Sequence, residues 1–292
     1  RTIVPTSRLP SKGPMFSETQ TVEASSDYLI PAIARTEINI KPPHALVIGD
    51  THGSVYYTVE LIKEASLRGV TRIIQLGDWG YLWPDTNLDD PTDPINVVSR
   101  YLLDNNITMY FIRGNHDWRE GIEANVETLA RKGFYFLNDE WWDLGFTVPT
   151  FFYGGAVSID RKYRREGVDY FEDEKPKYPT RQTLRELFRD KGWNRPAILF
   201  SHDSPHSPPG FEKPHALMVG DEELIADCKT SQARVAFVAR LGWFTSVFHG
   251  HYHTSNTYPF SEAPERCTIH AINQVGSRGD SVYLDLNGEV TV

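Results

Sequence analysis

Cysteine is scarce in this chain, which has 292 residues and two cysteines, Cys228 and Cys267. Their positions lack the spacing of a zinc or iron–sulfur ligand set, which excludes a cysteine-based metal cluster. The count also excludes a dense disulfide framework and fits a reducing compartment, although one disulfide remains compatible with it. We therefore expect a cytoplasmic protein.

Long apolar runs and an excess of positive charge are missing too. No stretch reaches the roughly 18 consecutive apolar residues of a membrane span, and no charged-then-apolar signal peptide opens the sequence. The chain has 30 Lys and Arg against 39 Asp and Glu, a formal net charge of −9. We expect no membrane partner, and long nucleic acid is disfavoured without being excluded.

The composition changes near residue 44. Residues 1–43 are rich in Pro, Ser and Thr and show no sustained periodicity. We expect an N-terminal arm packed on the domain or on a partner, with a disordered tail as the alternative. Residues 44–292 are expected to form the functional domain.

The domain begins with alternating strand and helix patterns. The runs "ALVIGD", "RIIQLGD" and "ITMYFIRGNHD" are short and apolar, and amphipathic helical patterns separate them. This βαβαβ order predicts a largely parallel sheet covered by helices. Later apolar runs with few helices between them predict a second, partly antiparallel sheet. The sequence therefore favours two packed sheets flanked by helices.

Polar motifs follow the apolar runs directly. They are "GDTHG", "GDWG", "GNHD", "SHD" and "GHYH", which contain Asp50, His52, Asp78, Asn115, His116, Asp117, His202, Asp203, His251 and His253. One Gly-Asp pair is usually a turn, but five such motifs at predicted strand ends are not explained by turns. Carboxylate, imidazole and amide groups together suit Mn, Fe or Zn better than Ca.

The stretch "FHGHYHT" leaves a choice among three histidines. His249, His251 and His253 occupy every second position, so in a strand they would share one face. Alternation alone does not separate metal ligands from a polar strand face.

The ordered motifs D-x-H, GD, GNH[D/E], H and G-H-x-H resemble those of the calcineurin-like metallophosphoesterase superfamily, over about residues 44–274. The stretches "YGGAVSIDRKYRREG" and "FSHDSPHSPPG" resemble a branch found in bacteria and their phages. The resemblance implies an α/β fold, a four-layer αββα sandwich of two mixed β-sheets flanked by helices. It also implies the cytoplasm of a bacterial cell or a phage-infected host.

The resemblance further implies a site with two transition metal ions, Mn²⁺ first, with Fe or Zn as alternatives. The implied ligands are Asp50, His52 and His253 for one ion, Asn115, His202 and His251 for the other, and Asp78 between them. His249 falls outside this pattern and is expected to be supporting or structural. A hydroxide between two cations would attack phosphorus, with His116 as the implied general acid.

The chain departs from the protein-phosphatase members of the superfamily. The Asp and Arg expected three and four residues after the bridging Asp are Tyr81 and Leu82 here. Asp117 is therefore a candidate catalytic partner of His116, with Glu120 as the alternative. Tyr81 is a candidate substrate-binding residue, in an aromatic wall for a nucleobase or aryl group, unless it packs on the core.

Two more residues are candidates for substrate binding. Among four arginines able to hold phosphate, Arg161 is favoured because it follows "GGAVSID". Asp160 is expected either to contact substrate or to support a residue that does.

These features predict a dinuclear-metal-dependent phosphoesterase acting on a small phosphate ester. Small phosphodiesters, including cyclic nucleotides, are slightly favoured over phosphomonoesters because the Asp-Arg pair is missing and the loops between motifs are short. Alternatives are a nuclease and a protein or nucleotide phosphatase. A non-catalytic protein-binding scaffold ranks last, because all seven ligand positions and His116 are intact.

Overall fold

The computed structural model describes residues 43–137, 139–178, 196–241, 244–263 and 266–291. All of them belong to one unit, Lys41–Val292. The arm predicted for residues 1–43 lies outside the described residues except for its last position, so it stays a prediction.

The described chain contains twelve strands and five α-helices. The strands are β1 (Ala45–Ile48), β2 (Arg72–Gln75), β3 (Thr108–Phe111), β4 (Phe134–Phe136), β5 (Glu140–Trp142), β6 (Thr150–Tyr153), β7 (Ala197–Ser201), β8 (Phe244–His249), β9 (Asn256–Phe260), β10 (Cys267–Ala271), β11 (Ser281–Leu284) and β12 (Val290–Thr291). The helices are α1 (Val55–Leu67), α2 (Pro94–Asp104), α3 (Arg119–Ala124), α4 (Val126–Arg131) and α5 (Glu222–Leu241). None of these helices combines the length and the apolar character needed to cross a membrane.

The strands form two mixed six-stranded sheets. The first has the order β12-β11-β1-β2-β3-β4, in which β1 to β4 run parallel and β11 and β12 pair antiparallel. The second has the order β5-β6-β7-β8-β10-β9, with antiparallel strands at both edges. Two mixed sheets were predicted, and the prediction is confirmed.

The apolar strands are explained by burial on both faces. In β1, Val47 belongs to a cluster that also contains Phe200 and Phe248 of the second sheet. Its neighbour Leu46 points the other way, into a cluster with Ile62 of α1. Because successive side chains alternate between faces, a strand between two layers needs apolar residues at every position.

The outer face of the second sheet is covered by α5. Leu199 and Val247 of this sheet pack with Val235 and Ala239 of the helix. The layers therefore run helices, sheet, sheet, helix, which is the αββα sandwich that the resemblance implied.

The stretch "FHGHYHT" is a strand only in its first part. β8 ends at His249, and His251 and His253 follow in a loop with φ of 67° and 47°. Strand alternation therefore does not place the three histidines. His249 is buried, with Nε2 2.9 Å from the Tyr258 hydroxyl, in keeping with the structural role expected for it.

Candidate metal centre

The candidate metal ligands lie in loops that directly follow strands. β1 to β3 run parallel, as do β7 and β8, so the carboxyl ends of each set meet at one edge of its sheet. The loops after these five strands carry Asp50, His52, Asp78, Asn115, His202, His251 and His253. The structure brings all seven residues together.

The first group consists of Asp50, His52 and His253. Nε2 of His253 lies 3.1 Å from Oδ2 of Asp50, and Nε2 of His52 lies 3.8 Å from the same oxygen. The two Nε2 atoms are 3.0 Å apart. The carboxylate is buried, whereas the two imidazoles reach the surface of the site.

The second group consists of Asp78, His202 and His251, with Asn115 beside it. Nε2 of His202 lies 3.4 Å from Oδ1 of Asp78 and 2.9 Å from Oδ1 of Asn115. The other oxygen of Asp78 lies 3.9 Å from Nε2 of His52 in the first group. Asp78 therefore lies between the two groups, where a bridging carboxylate would have to be.

The orientation of the Asn115 amide is fixed by its neighbours. Its Nδ2 donates to Oγ of Ser158 at 3.0 Å and lies 3.1 Å from Nε2 of His116, which leaves Oδ1 facing the second group. The backbone amide of Ser158 in turn donates to the Glu174 carboxylate at 3.0 Å. Ser158 and Glu174 were not predicted from the sequence, because serine and glutamate without a motif give no local signal.

Four candidate ligands have left-handed backbone conformations. φ is 43° at His52, 50° at Asp78, 67° at His251 and 47° at His253. Such conformations cost free energy in non-glycine residues and concentrate at functional sites. The loops therefore hold these side chains in place at the expense of local backbone strain.

The glycines before the ligands are required by close packing. A Cβ at Gly114 would overlap the amide nitrogen and Oδ1 of Asp78, and a Cβ at Gly250 would overlap Oδ1 of Asp50. The Gly-Asn and Gly-His pairs in the motifs thus let one ligand loop touch the next.

Two carboxylates and one imidazole of the site are held in the forms that coordinate metal, whereas two other imidazoles hold protons that a cation would have to displace. Burial would raise the pKa of Asp50, but its contact with His253 and the charge of His202 outweigh burial, so the pKa is lowered. Surrounding imidazoles likewise outweigh burial at Asp78 and hold its pKa well below the ordinary value. Burial lowers the pKa of His251 to about 3. The result is two carboxylates and a neutral imidazole, the forms that coordinate metal. Burial would lower the pKa of His202, but the charges of Asp78 and Asp50 outweigh burial and raise it, and the contact with Asp50 raises the pKa of His253.

The donor set fits a pair of cations. Asp50 and Asp78 are both buried, and in the described part of the chain neither has a Lys or Arg within ion-pair distance. Two neighbouring buried carboxylates without a fixed cation are unfavourable unless positive charge is supplied. Mixed oxygen and imidazole donors are those of a transition metal centre.

His116 lies at the edge of this centre. Its Nε2 is 3.9 Å from Oδ2 of Asp78 and 3.2 Å from Nη2 of Arg164, and its Nδ1 is buried without a hydrogen-bond partner among the described residues. Burial lowers the pKa of His116, and the positive charge of Arg164 acts in the same direction, against Asp78.

Asp117 was a candidate partner of His116, and among the described residues its carboxylate accepts instead from three backbone amides. Its Oδ2 accepts from the backbone amides of Gly114 and Trp79 at 2.7 and 3.1 Å, and its Oδ1 accepts from Gly80 at 2.9 Å. The carboxylate therefore ties the loops after β2 and β3 together.

Arg161, the arginine predicted to bind substrate, is paired with a carboxylate on α5 and is not among the residues that line the cavity over the site. Its Nη1 lies 2.7 Å from Oδ2 of Asp227 on α5. Arg164, three residues later, is the arginine beside His116, and its Nη2 also lies 2.7 Å from Oδ2 of Asp160. Asp160 lines the cavity, where a substrate-binding residue would have to lie. The local sequence could not choose between Arg161 and Arg164, because the partner of Arg161, Asp227, is 66 residues away.

Tyr81 is a core residue and not an aromatic wall. It is buried against Trp79 and Phe134, and its hydroxyl donates to the Ser54 carbonyl at 2.9 Å and contacts Oγ1 of Thr58 at 2.8 Å. The structure thus favours the alternative in which Tyr81 packs on the core.

A cavity of about 470 Å³ opens over the metal centre. His52, Asp78, Asn115, His116, His251 and His253 line it together with Asp160 and Arg164. Its other walls come from Val157 and Ile159 in the loop after β6, from residues 207–218, from one face of α5, and from Asp203 and Tyr252. No sequence pattern assigned helix residues to the site, because helical periodicity indicates a buried face without saying what covers it.

Comparisons with known proteins agree with this geometry. The model of the calcineurin-like phosphoesterase family matches residues 43–255. TT1561 of Thermus thermophilus superposes with a TM-score of 0.53 at 14% identity, covering 86% of this chain and 98% of that one. At this identity the likeness shows a shared fold.

Two other solved structures superpose with lower scores. Phosphopantetheinyl hydrolase from Mycobacterium tuberculosis has a TM-score of 0.48 at 14% identity, covering 84% of this chain and 97% of that one. A dimetal phosphatase from Danio rerio has 0.47 at 12% identity, covering 84% and 94%. A comparison with curated protein sequences gave no match. Since the family match spans most of the chain and coincides with the two groups of metal-binding residues, the chain belongs to the calcineurin-like phosphoesterases and is a metal-dependent phosphoester hydrolase.

Proposed function

We propose that this protein hydrolyses small phosphate esters at a two-metal centre held by Asp50, His52, Asp78, Asn115, His202, His251 and His253. The observation that carries the proposal is the position of Asp78, whose two oxygens face different groups of ligand atoms. A single-metal or purely structural site would need only one of these groups.

The residues fit Mn²⁺ best, with Fe or Zn as the alternatives. When bound, the two cations would supply a nucleophile at neutral pH and neutralise charge on the ester oxygens. Both cysteines are free thiols, in keeping with a reducing, cytoplasmic location for such an enzyme.

His116 and Arg164 are the protein groups placed to act on the ester. In the structure Nε2 of His116 accepts from Arg164 and Asn115. A negative ester bound here would draw Arg164 away from Nε2 and favour the protonated ring, which could then donate its proton to the leaving oxygen as the P–O bond breaks. The guanidinium of Arg164 is placed to contact a non-bridging oxygen.

The charge balance around Arg164 supports the slight preference for phosphodiesters. Arg164 is the one arginine among the described residues lining the cavity, which Lys213 and Lys229 also line, and Asp160 already pairs with Arg164 at 2.7 Å. A diester carries a single negative charge, whereas a monoester at neutral pH carries close to two. The partly neutralised Arg164 therefore matches the diester better.

The test is a metal analysis followed by Mn²⁺-dependent hydrolysis of an aryl phosphomonoester, an aryl phosphodiester and 2′,3′-cyclic nucleotides. We expect bound metal and the fastest hydrolysis for a diester. Asn115→Ala should lose metal and activity, and His116→Ala should keep metal and lose activity. Absence of metal, or full activity in both variants, would contradict the proposal, and hydrolysis of monoesters alone would reverse the diester preference.

A further inference from the structure

We propose that the apolar wall of the cavity is a binding subsite for the leaving group, and that it selects esters of aromatic or otherwise apolar alcohols. The inference rests on the proposed hydrolysis and deepens it by naming the substrate class. The wall is formed by Val157 and Ile159 from the loop after β6, Met218 from the turn before α5, and Ile225 and Cys228 from α5.

This wall is an apolar cluster of its own, apart from the cores of the sandwich. Val157 and Met218 are buried together with Leu224, and Ile159, Ile225 and Cys228 pack against them. None of the six belongs to the three clusters that hold the sheets and their helices together. The apolar surface therefore faces the cavity without being part of the main core.

The wall is continuous with the metal centre. Ile159 is adjacent to Asp160, whose carboxylate pairs with Arg164 at 2.7 Å, and Arg164 lies 3.2 Å from Nε2 of His116. The apolar surface thus begins one residue from the group of side chains around the proposed proton donor. A leaving oxygen next to His116 would carry its organic part toward this surface.

Several polar groups near the wall hydrogen-bond to one another, and Lys213 and Lys229 also line the cavity. Gln232, on the same face of α5 as Ile225 and Cys228, donates from Nε2 to Ser207 at 3.2 Å and to the Tyr252 hydroxyl. That hydroxyl donates to Oδ1 of Asp203 at 3.1 Å. Since the donors of Gln232 and Tyr252 already have acceptors, this part of the subsite offers more to an apolar ring than to a polyol.

Cys228 adds to the apolar character of the wall. Burial raises the pKa of its thiol to about 12, so the side chain is neutral and lacks the nucleophilic thiolate. Its contribution is contact area.

The test compares two leaving groups of similar acidity, 2-naphthol and phenol, with Mn²⁺-loaded enzyme. Each is offered as the monoester or as the methyl diester, whichever the enzyme cleaves faster. We expect kcat/KM to be about tenfold higher for the naphthyl ester, because the second ring buries apolar area on the wall. Equal kcat/KM for the two esters would overturn the subsite and leave the proposed hydrolysis intact. If neither ester were hydrolysed, the subsite and the proposed hydrolysis would both be overturned.

A variant series links the preference to the wall. Ile225→Asn should bring the naphthyl-to-phenyl ratio of kcat/KM close to one, whereas Ile225→Val should retain the preference. The matched control is Val219→Asn, a similar change at a valine that is 73% exposed and does not line the cavity. Melting curves confirm that each variant is folded. An unchanged ratio in folded Ile225→Asn would refute the subsite.

Discussion

At the scale of single residues, the partners of a side chain decide its role. Asp117 and Asp78 both follow glycine-containing turns, yet Asp117 accepts from backbone amides of two loops, whereas Asp78 faces imidazoles of both ligand groups. Asn115 is similar, because Ser158 and His116 together hold the nitrogen of its amide and leave the oxygen facing the metal centre. Residues that bind no metal therefore help to set the geometry of those that do.

Ser158→Ala tests this dependence at one hydroxyl group. The change removes one of the two partners of Asn115 Nδ2 and leaves the other, Nε2 of His116, so the amide is held less firmly in its orientation. We expect metal affinity to fall about tenfold, with activity falling in parallel at limiting Mn²⁺ and recovering at saturating Mn²⁺. Isothermal titration and activity assays over a range of Mn²⁺ measure both quantities. The control is Ser261→Ala at an exposed turn, and equal affinities in the two variants would exclude the role given to Ser158.

At the scale of elements, short loops after parallel strands create the site. Gly114→Ala would put a methyl group where the amide nitrogen and Oδ1 of Asp78 lie. Because that contact involves backbone, we expect the loops to separate, metal affinity to fall at least a hundredfold and the melting temperature to drop.

The control for this change is Gly220→Ala, at a glycine with φ of +81° and open space around its Cβ position. That variant should lose about 1 kcal/mol of stability through backbone strain and keep its metal affinity. If Gly114→Ala bound metal as well as Gly220→Ala does, close approach of the loops would not be what the glycine provides.

The segment around Glu174 should make stability depend on pH. Burial raises the pKa of this carboxyl to about 7, above its ordinary value of 4.5. Between these two pH values Glu174 keeps its proton in the folded chain and releases it in the unfolded chain. The protonated carboxyl therefore contributes fully to the free energy of unfolding below about pH 4.5, and this contribution is lost as pH rises through 7. The difference corresponds to roughly 3 kcal/mol.

Glu174→Gln isolates this effect, since the amide oxygen can still accept from Ser158. We expect the free energy of unfolding of the variant, relative to that of the unaltered protein, to be higher at pH 8 than at pH 5, as measured by denaturant unfolding. A stability difference that is the same at both pH values would show that Glu174 does not titrate in this range.

The sequence motifs predicted the strands whose loops carry the ligands. The features that they did not predict depend on contacts between residues that are far apart in the sequence. The runs ending at Asp50, Asp78 and Asn115 became β1, β2 and β3 because burial on both faces leaves a local apolar signature. Short edge strands such as β5 and β12 leave no such signature. The ion pair of Arg161 could not be predicted, because its partner, Asp227, is 66 residues away and lies on a helix that the motifs do not reach.

At the scale of the whole molecule, the metal centre joins the two sheets. Loops of the first sheet supply Asp50, His52, Asp78 and Asn115, and loops of the second supply His202, His251 and His253. Each group of ligand atoms contains residues from both sheets. A bound cation would therefore link the two halves of the sandwich as well as serve catalysis.

Metal removal should consequently weaken the entire fold. Cations that bind the folded chain but not the unfolded chain stabilise it by about 3 kcal/mol at a hundredfold excess over Kd. Here they also offset the charge of two buried carboxylates. We expect a chelator to lower the melting temperature and Mn²⁺ to restore it, with a shift that grows with the logarithm of Mn²⁺ concentration. In Asp78→Asn, which weakens both groups at once, this rise should be largely lost. A chelated protein that melts at the same temperature as the Mn²⁺-loaded one would mean that the sheets are held by their apolar interface alone.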